Sequence, residues 1–303
     1  MGIAWVFPGQ GSQKVGMASA VLDLDGARER FAAASELLGR DLLAICAGEA
    51  SEIQGGSPGA PLDLGDTSNT QPALFVLESL LVDGLKAQGR RADLVAGHSL
   101  GELVALYAAD VFDFRTGLEL MHRRSELMAA AGGGAMTAVM GFERSELEAL
   151  VGAHADVVIA NDNSAAQVVI SGLPEAVAAV AAQLPCKRAI PLAVLGAFHS
   201  PFMASAAEAF AALLEQVPFA DASIAVLSNT DPTPSTSGAE LKQRLQRQMV
   251  SGVRWRETMD QLAALGVETV VEIGPGTVLS GLVKRSLSGV TTAQIGSAAD
   301  LGL

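Results

Sequence analysis

One short segment of the chain carries the pattern of a reactive serine. The residues GHSLG at 97–101 match G-x-S-x-G, a motif in which a serine stands on a sharp turn between a strand and a helix. The apolar run before it predicts a strand over 93–97, and the residues after it predict a helix over 100–109. Such a turn exposes the hydroxyl at a helix N-terminus, where free N–H groups favour a developing negative charge. We therefore interpret Ser99 as a nucleophile rather than as a helix cap, the other role that serine often takes there.

A serine hydroxyl needs a general base, and the chain has four histidines that could supply one. His98 adjoins the nucleophile, so we expect the turn to aim it away from the hydroxyl. His122 is predicted on a solvated helix face, and His154 in a surface loop. His199 lies where the chain is expected to pass from a small domain back into a large one, and clefts between domains commonly hold sites. By elimination, His199 is the best candidate for the base.

The elements that must position these residues alternate in the manner of an α/β protein. The patterns predict a first strand at 3–7, and a surface loop over the Gly- and Pro-rich residues 54–70. Predicted helices of the same part cover 26–38, 71–88, 115–131, 201–216, 238–250 and 255–265, and predicted strands cover 224–228 and 268–273.

A different rhythm follows Gly132-Gly133-Gly134, which we interpret as a domain joint. Between residues 135 and 192 the predicted order is β-α-β-β-α-β, which is typical of a ferredoxin-like module. The predicted fold class is therefore α/β, with an α/β-hydrolase-like large domain built on a parallel sheet. We expect this domain to comprise 1–132 and 197–303, and the small ferredoxin-like domain to be inserted at 133–196.

Composition narrows the function classes. With 303 residues, half of them hydrophobic, the chain can bury a sizeable core, yet no stretch approaches the roughly 20 apolar residues of a membrane helix. The net charge of −13 argues against a nucleic-acid partner. Neither Cys46 nor Cys186 shows metal-type spacing, and the N-terminus lacks a signal-peptide pattern. We expect a cytoplasmic protein with no metal and no membrane attachment.

Six segments, met in order along the chain, resemble one family. They are FPGQGSQ (7–13), GHSLGE (97–102), LMHRRSELM (120–128), QVVISG (167–172), GAFHS (196–200) and EIGPG (272–276). In this order they resemble malonyl-CoA:acyl-carrier-protein transacylases and the acyltransferase modules of polyketide synthases, over nearly the whole chain. IANDNSAAQVVISG and GAFHSPFM are most similar to discrete, trans-acting acyltransferases that serve polyketide synthases lacking their own.

The resemblance implies roles for the residues of the motifs. Ser99 corresponds to the serine that is acylated, and His199 to its base. The family orients this histidine with a backbone carbonyl, which falls at Gln248, and not with an acidic side chain. The backbone N–H groups of Gln10 and Leu100 match the oxyanion hole.

The same resemblance implies a malonyl pocket. Arg124 matches the arginine that binds the malonyl carboxylate, which suits a planar guanidinium able to bind a carboxylate with two hydrogen bonds. Its neighbour Arg123 should point about 100° away around the helix, toward solvent. Phe198 resembles the malonyl-selective form of its motif, in which bulk crowds a methyl group on the substrate. Further pocket positions are His98, Gln71, Asn161 and Asn163, although the last three could equally serve as helix or turn caps.

The implied reaction moves a malonyl group from malonyl-CoA to the phosphopantetheine thiol of an acyl carrier protein, with no bound cofactor. The product would feed a polyketide or fatty acid synthase. An editing acyl hydrolase or thioesterase of the same fold is the alternative. Carrier proteins are usually acidic, so docking on this acidic chain would need a local basic patch. The candidate cations are Lys187, Arg188, Arg254, Arg256, Lys284 and Arg285.

Overall fold

The computed structural model describes residues 2–49, 62–194 and 196–302. Its strands are β1 (Gly2–Phe7), β2 (Leu94–Gly97), β3 (Ala135–Phe142), β4 (Val157–Ser164), β5 (Gln167–Gly172), β6 (Cys186–Pro191), β7 (Ala225–Leu227), β8 (Val267–Ile273) and β9 (Thr291–Ile295). Its α-helices are α1 (Ala27–Leu38), α2 (Leu42–Ala47), α3 (Thr67–Ala87), α4 (Gly101–Ala108), α5 (Phe114–Ala130), α6 (Arg144–Gly152), α7 (Pro174–Gln183), α8 (Ala204–Gln216), α9 (Gly238–Gln248), α10 (Trp255–Ala264) and α11 (Val278–Ser286). Short 3-10 helices cover Met17–Ala20, Pro201–Met203 and Ala299–Leu301.

Five parallel strands form the larger sheet, in the order β7-β2-β1-β8-β9. The central strand β1 is buried from Ala4 to Phe7, as expected of a parallel sheet covered by helices on both faces. In the register of β1 and β2, Phe7 lies opposite Gly97. The carboxyl ends of the two strands therefore lie side by side, and the loop after β1 meets the GHSLG turn after β2.

Four antiparallel strands form the smaller sheet, in the order β4-β5-β3-β6. Together with α6 and α7 they confirm the predicted β-α-β-β-α-β order, and they enclose a separate apolar core. The structure thus confirms an α/β architecture with two sheets. The exact division at 133 and 196 stays a prediction, but an isolated bridge pairs Gly132 with Gly196 and so brings the two connecting segments together.

Strand β4 reaches from the small sheet to the segment that precedes α10. The Asp162 N–H donates to the Val253 carbonyl at 2.9 Å, and a parallel bridge joins Asn161 to Val253. The Asp162 carboxylate pairs with Arg256 at 2.9 Å and with Arg144 at 2.7 Å. The contacts to Val253 and Arg256 hold β4 beside the carboxyl end of the larger sheet, whereas Arg144 lies in α6, next to the smaller sheet.

The structure corrects the start of the helix predicted at 71–88. Helix α3 begins four residues earlier, at Thr67, because the Asp66 side chain caps it by accepting a hydrogen bond from the Ser68 N–H at 2.8 Å. Residues 67–70 of the predicted 54–70 loop are therefore helical and buried, and residues 54–61 of that loop lie outside the described residues. The polar residues TSNT show no apolar periodicity, which is why the sequence predicted a loop there.

Three elements have no counterpart in the sequence prediction: α2, α11 and β9. Helix α2 is only six residues long, and β9 is an edge strand of mostly exposed residues, so neither gives a strong periodic signal. Within the described ranges, none of the helices combines the length and the hydropathy that crossing a membrane requires.

Candidate active site

The turn between β2 and α4 holds Ser99 in a strained conformation. Its φ of 54° lies in the left-handed region, which residues other than glycine rarely adopt. A Cβ at Gly97 would lie 1.9 Å from the Gly101 backbone, and one at Gly101 would lie 2.2 Å from the Phe7 carbonyl oxygen. Both glycines are therefore required by close backbone approach, as the G-x-S-x-G pattern predicts.

Asn229 clamps this turn from outside. The Ser99 N–H donates to Asn229 Oδ1 at 2.7 Å, and Asn229 Nδ2 donates to the Gly97 carbonyl at 2.6 Å. One side chain thus holds the backbone on both sides of His98. Asn229 was not among the residues predicted from the sequence, although a polar residue soon after a strand of a parallel sheet is a signal that could have found it.

Ser99 and His199 form a hydrogen-bonded pair. Ser99 Oγ lies 2.7 Å from His199 Nε2, and His199 Nδ1 lies 3.0 Å from the Gln248 carbonyl oxygen. A carbonyl only accepts, so Nδ1 carries the proton and Nε2 is left to accept the serine hydroxyl. The structure therefore brings together the hydroxyl, the imidazole and the backbone carbonyl that the sequence analysis selected.

His199 is buried, with 3 % of its surface exposed. Burial and then the nearby charge of Arg124 lower the pKa of His199 to about 3. The imidazole is therefore neutral near pH 7, which is the form that can accept a proton.

Arg124, on α5, is fully buried beside this pair. Its Nη1 donates to Gln71 Oε1 at 2.7 Å, and its Nη2 donates to Gln248 Oε1 at 2.7 Å and to Ser99 Oγ at 3.2 Å. Within the described residues its Nε has no hydrogen-bond partner, and no carboxylate forms an ion pair with the guanidinium. Burial lowers the pKa of Arg124 to about 10, so the group is still charged near pH 7.

Two amides at the site have free hydrogens. In the part of the chain that the structure describes, neither the Gln10 N–H nor the Leu100 N–H donates a hydrogen bond to the protein. Leu100 immediately precedes α4, whereas the N–H of its neighbour Ser99 is already occupied by Asn229. A helix start and a loop that both present free amides can stabilise an oxyanion.

A cavity of about 80 Å³ opens over the serine and the histidine. Phe198, 6 % exposed, is one of its walls. The lining residues are Gln10, Gln71, His98, Ser99, Leu100, Met128, Met136, Asn161, Leu192, Val194, Phe198 and His199. Among the described residues, no cluster of His, Cys, Asp or Glu side chains is suited to a metal ion.

Polar residues of β4 lie at this cavity, beside the turn that carries His98 and Ser99. His98 points away from the serine hydroxyl, as expected, and its Nε2 lies 2.8 Å from Asn163 Oδ1. Its ring packs against Trp255 with the ring centroids 5.6 Å apart. Asn161 lines the cavity, and both asparagines lie within β4, so neither caps a helix.

One expectation for a polar residue needs correction, and for a second residue the structure excludes one of two open alternatives. His122 is not on a solvated face: its side chain is 12 % exposed and its Nε2 lies 3.5 Å from a Glu126 carboxylate oxygen, because the inner side of α5 packs against the core. Gln71 does not cap a helix, since α3 already starts at Thr67, and its amide oxygen instead holds Arg124. Arg123 is exposed, as expected.

The six candidate docking cations fall into two groups. Arg254 forms an ion pair with Glu257, and Arg256 pairs with Asp162. The other four are exposed and form no ion pair with any described residue: Lys187, Arg188, Lys284 and Arg285. These four remain the predicted docking cations.

The chain matches one protein family over almost its whole length. The family model described as "Acyl transferase domain" matches residues 4–301. The chain belongs to the acyl transferase family. It is 47 % identical over 301 residues to the malonyl CoA-acyl carrier protein transacylase of Synechocystis sp., covering 99 % of each chain. It is also 39 % identical over 290 residues to the polyketide biosynthesis malonyl CoA-acyl carrier protein transacylase of Bacillus subtilis, covering 93 % of this chain and 96 % of that one.

Solved structures of this family share the whole fold. The crystal structure of the Synechocystis malonyl-CoA:ACP transacylase superposes with a TM-score of 0.92, covering 100 % of this chain and 99 % of that one at 47 % identity. A malonyl transacylase solved in complex with its type II polyketide acyl carrier protein superposes with a TM-score of 0.89, covering 99 % and 98 % of the chains at 35 % identity. The resemblance predicted from the six motifs is therefore confirmed.

The clamp on the nucleophile turn predicts an effect of Asn229→Ala. The substitution leaves the buried Ser99 N–H and Gly97 carbonyl unpaired, which should lower the free energy of unfolding by about 1–3 kcal/mol. Because the turn then relaxes, Ser99 should react on the order of ten-fold more slowly with phenylmethanesulfonyl fluoride. Inactivation rates and urea unfolding measure both effects. Asn163→Ala is the matched control, since it removes a bond to His98 but none to the turn backbone. Equal rates for the wild type and Asn229→Ala would contradict the clamp.

The state of His199 predicts a flat pH profile. The neutral imidazole is the form that can act as the predicted base, and with a pKa lowered to about 3 it should be neutral from pH 5 upward. The rate at which phenylmethanesulfonyl fluoride inactivates the protein should then change little between about pH 5 and pH 8. A histidine with the ordinary pKa near 6.5 would instead slow the reaction about thirty-fold at pH 5. An inactivation rate that falls as the pH drops below about 6.5 would show that burial and Arg124 do not lower the pKa of His199.

Proposed function

We propose that the protein is an S-malonyltransferase, which carries a malonyl group from malonyl-CoA to the phosphopantetheine thiol of an acyl carrier protein. The observation that carries the proposal is the guanidinium of Arg124, buried and charged within hydrogen-bond distance of the Ser99 hydroxyl. A buried cation next to a nucleophile is unfavourable for an uncharged acyl group and favourable for one that ends in a carboxylate.

In the first half of the cycle the acyl group moves to the enzyme. His199 Nε2 takes the proton of Ser99 while Oγ attacks the thioester carbonyl, and the imidazolium forms with its Nδ1–H held by the Gln248 carbonyl. The Gln10 and Leu100 N–H groups stabilise the oxyanion. When the carbon–sulfur bond breaks, coenzyme A leaves as the thiol with the proton from His199. The product is malonyl-Ser99.

In the second half the acyl group leaves by the same route. His199 removes the proton of the phosphopantetheine thiol, the sulfur attacks the acyl-serine, and Ser99 departs with the proton. The cycle is ping-pong and uses no resident cofactor. An editing acyl hydrolase is the alternative, in which water replaces the thiol.

Two groups set the choice of acyl chain. The Nε of Arg124 has no partner among the described residues, which leaves hydrogen-bonding capacity for the malonyl carboxylate. Phe198 forms one wall of the cavity, and we propose that its bulk crowds a methyl group on the substrate's second carbon. One methyl group usually discriminates by only about 1–3 kcal/mol, so we expect some transfer of methylmalonyl.

The relatives support this proposal and leave two candidate destinations for the malonyl group. Those named malonyl CoA-acyl carrier protein transacylase include one assigned to polyketide biosynthesis, and we propose a trans-acting role in extender supply to a polyketide or fatty acid synthase. We also propose a cytoplasmic location, with which the free thiols of Cys46 and Cys186 agree.

Intact-mass measurement after brief incubation with malonyl-CoA tests the reaction. The wild type should gain the mass of one malonyl group, and Ser99→Ala should gain none because the hydroxyl is missing. On addition of a phosphopantetheine-bearing carrier protein, the adduct should move to the carrier. If the enzyme loses the adduct while the carrier gains no malonyl group, the hydrolase is favoured. A wild type that never gains mass would refute both the transferase and the hydrolase.

Substitution of Arg124 tests the acyl preference. Arg124→Ala should slow loading from malonyl-CoA on the order of 10²–10⁴-fold, because breaking a buried charge pair costs about 3–5 kcal/mol. Loading from acetyl-CoA should fall much less. Stopped-time mass spectrometry of both reactions gives the ratio, and the exposed neighbour Arg123→Ala is the control. Equal losses for the two substrates would show that Arg124 does not bind the malonyl carboxylate.

A further inference from the structure

Glu102 is a buried carboxylate to which the proposed reaction assigns no role. It stands in the first turn of α4, three residues after Ser99, and is fully buried. Its Oε2 accepts hydrogen bonds from the Asn229 N–H at 3.1 Å and from Gln248 Nε2 at 2.7 Å. Glu102 does not pair directly with Arg124, because the carboxamide of Gln248 lies between them. Arg124 Nη2 donates a hydrogen bond to Gln248 Oε1 at 2.7 Å.

This arrangement determines which way the Gln248 carboxamide faces. A carboxylate can only accept and a guanidinium can only donate, whereas an amide has one end of each kind. Nε2 therefore faces Glu102 and the Ser99 carbonyl, the latter at 2.9 Å, and Oε1 faces Arg124. The reversed amide would place two donors together at Arg124 and two acceptors together at Glu102.

The placement of the Gln248 amide between Glu102 and Arg124 also has an electrostatic consequence. The group that balances the charge of the guanidinium is not one of the groups that form hydrogen bonds with it. A buried cation needs a nearby anion, yet a carboxylate paired directly with Arg124 would occupy the hydrogen-bonding edge that a substrate carboxylate needs. Burial raises the pKa of the Glu102 carboxyl, and the hydrogen bonds from Gln248 and Asn229 and the charge of Arg124 oppose that rise. With two donors on its Oε2, Glu102 supplies the negative charge one amide away, and this charge opposes the lowering of the Arg124 pKa by burial. The two amide oxygens that accept hydrogen bonds from the Nη atoms of Arg124, those of Gln71 and Gln248, carry no net charge.

We propose that Glu102 is a positioning residue that determines acyl specificity through the Gln248 side chain. It keeps the amide oxygen on Arg124 and balances the buried charge from a distance, so that the guanidinium stays available to a carboxylate-bearing acyl group. This inference rests on the proposed malonyl transfer. It is separate from the role of the Gln248 backbone carbonyl, which no side-chain substitution removes.

A charge swap tests the arrangement against a merely structural role. In the double variant Glu102→Gln with Gln248→Glu the net charge is unchanged, and the amide at 102 can still accept from Asn229 and donate to 248. The carboxylate, however, now contacts Arg124 directly. Gln248→Met is the matched variant, because it loses the same bond to the Ser99 carbonyl without placing a charge beside Arg124.

The readout is the ratio of kcat/KM for enzyme loading from malonyl-CoA to that from acetyl-CoA, followed by intact mass. We expect the ratio to fall on the order of ten-fold or more in the swap, with the loss in the KM for malonyl-CoA. Gln248→Met should lower the ratio less than the swap, because Arg124 loses one hydrogen-bond acceptor but gains no charged neighbour. Equal falls in the two variants would overturn the proposal, since loss of the Gln248 hydrogen bonds alone would then account for the change. A double variant that keeps the wild-type ratio within about two-fold would overturn the proposal. The hydrogen bonds among residues 102, 248 and Arg124 would then account for the preference, wherever the negative charge lies.

Thermal unfolding checks that each variant is folded. If the double variant does not fold, Gln248→Glu alone puts the carboxylate on Arg124, and an unchanged ratio in that variant overturns the proposal equally. Failure of the proposed function is a different outcome: there the wild type itself shows no loading from malonyl-CoA. The inference about Glu102 fails when the wild type prefers malonyl-CoA and the swap, or Gln248→Glu in its place, keeps that preference.

Discussion

Arg124 holds a positive charge fully inside the protein, and the groups around it are arranged to make that charge tolerable without cancelling it. Two neutral amide oxygens, from Gln71 and Gln248, accept its hydrogen bonds at 2.7 Å each. The nearest negative charge, on Glu102, is held behind one of these amides. Since an isolated buried ion is costly, this arrangement supports the proposal that Arg124 binds a substrate that brings its own carboxylate.

The same network fixes the nucleophile. The strained backbone at Ser99 is held by Asn229 on its N–H and by Gln248 on its carbonyl, and both of those residues also bind Glu102. The proposed acyl-binding group, Arg124, and the proposed nucleophile, Ser99, are therefore both held by the side chain of Gln248. A substitution at any of these buried positions should disturb both, because the partners left behind lose their hydrogen bonds in a medium without water.

The small sheet completes the site from the other side. Strand β4 carries Asn161 to the cavity and Asn163 to His98, and it is held there by backbone and ionic contacts to the segment around Val253. The chain then returns through Phe198 and His199, the latter with a φ of 56°. The second strained residue of the site therefore lies where the chain leaves the small sheet and faces the first one across the cavity.

The local features of this protein could be predicted from its sequence. The strand, turn and helix around Ser99, the β-α-β-β-α-β order and the general fold class all depend on spacings within a few residues, which periodicity and glycine placement reveal. His199 followed by elimination, and Arg124, Gln10, Leu100 and Gln248 from the family resemblance. Only the tertiary structure decided which polar groups meet. Asn229 is 130 residues from Ser99, and the side chain of Gln248 is 146 residues from Glu102. Such partners leave no periodic trace, because a hydrogen bond between distant segments depends on how the sheets and helices pack and not on the residues next to either partner.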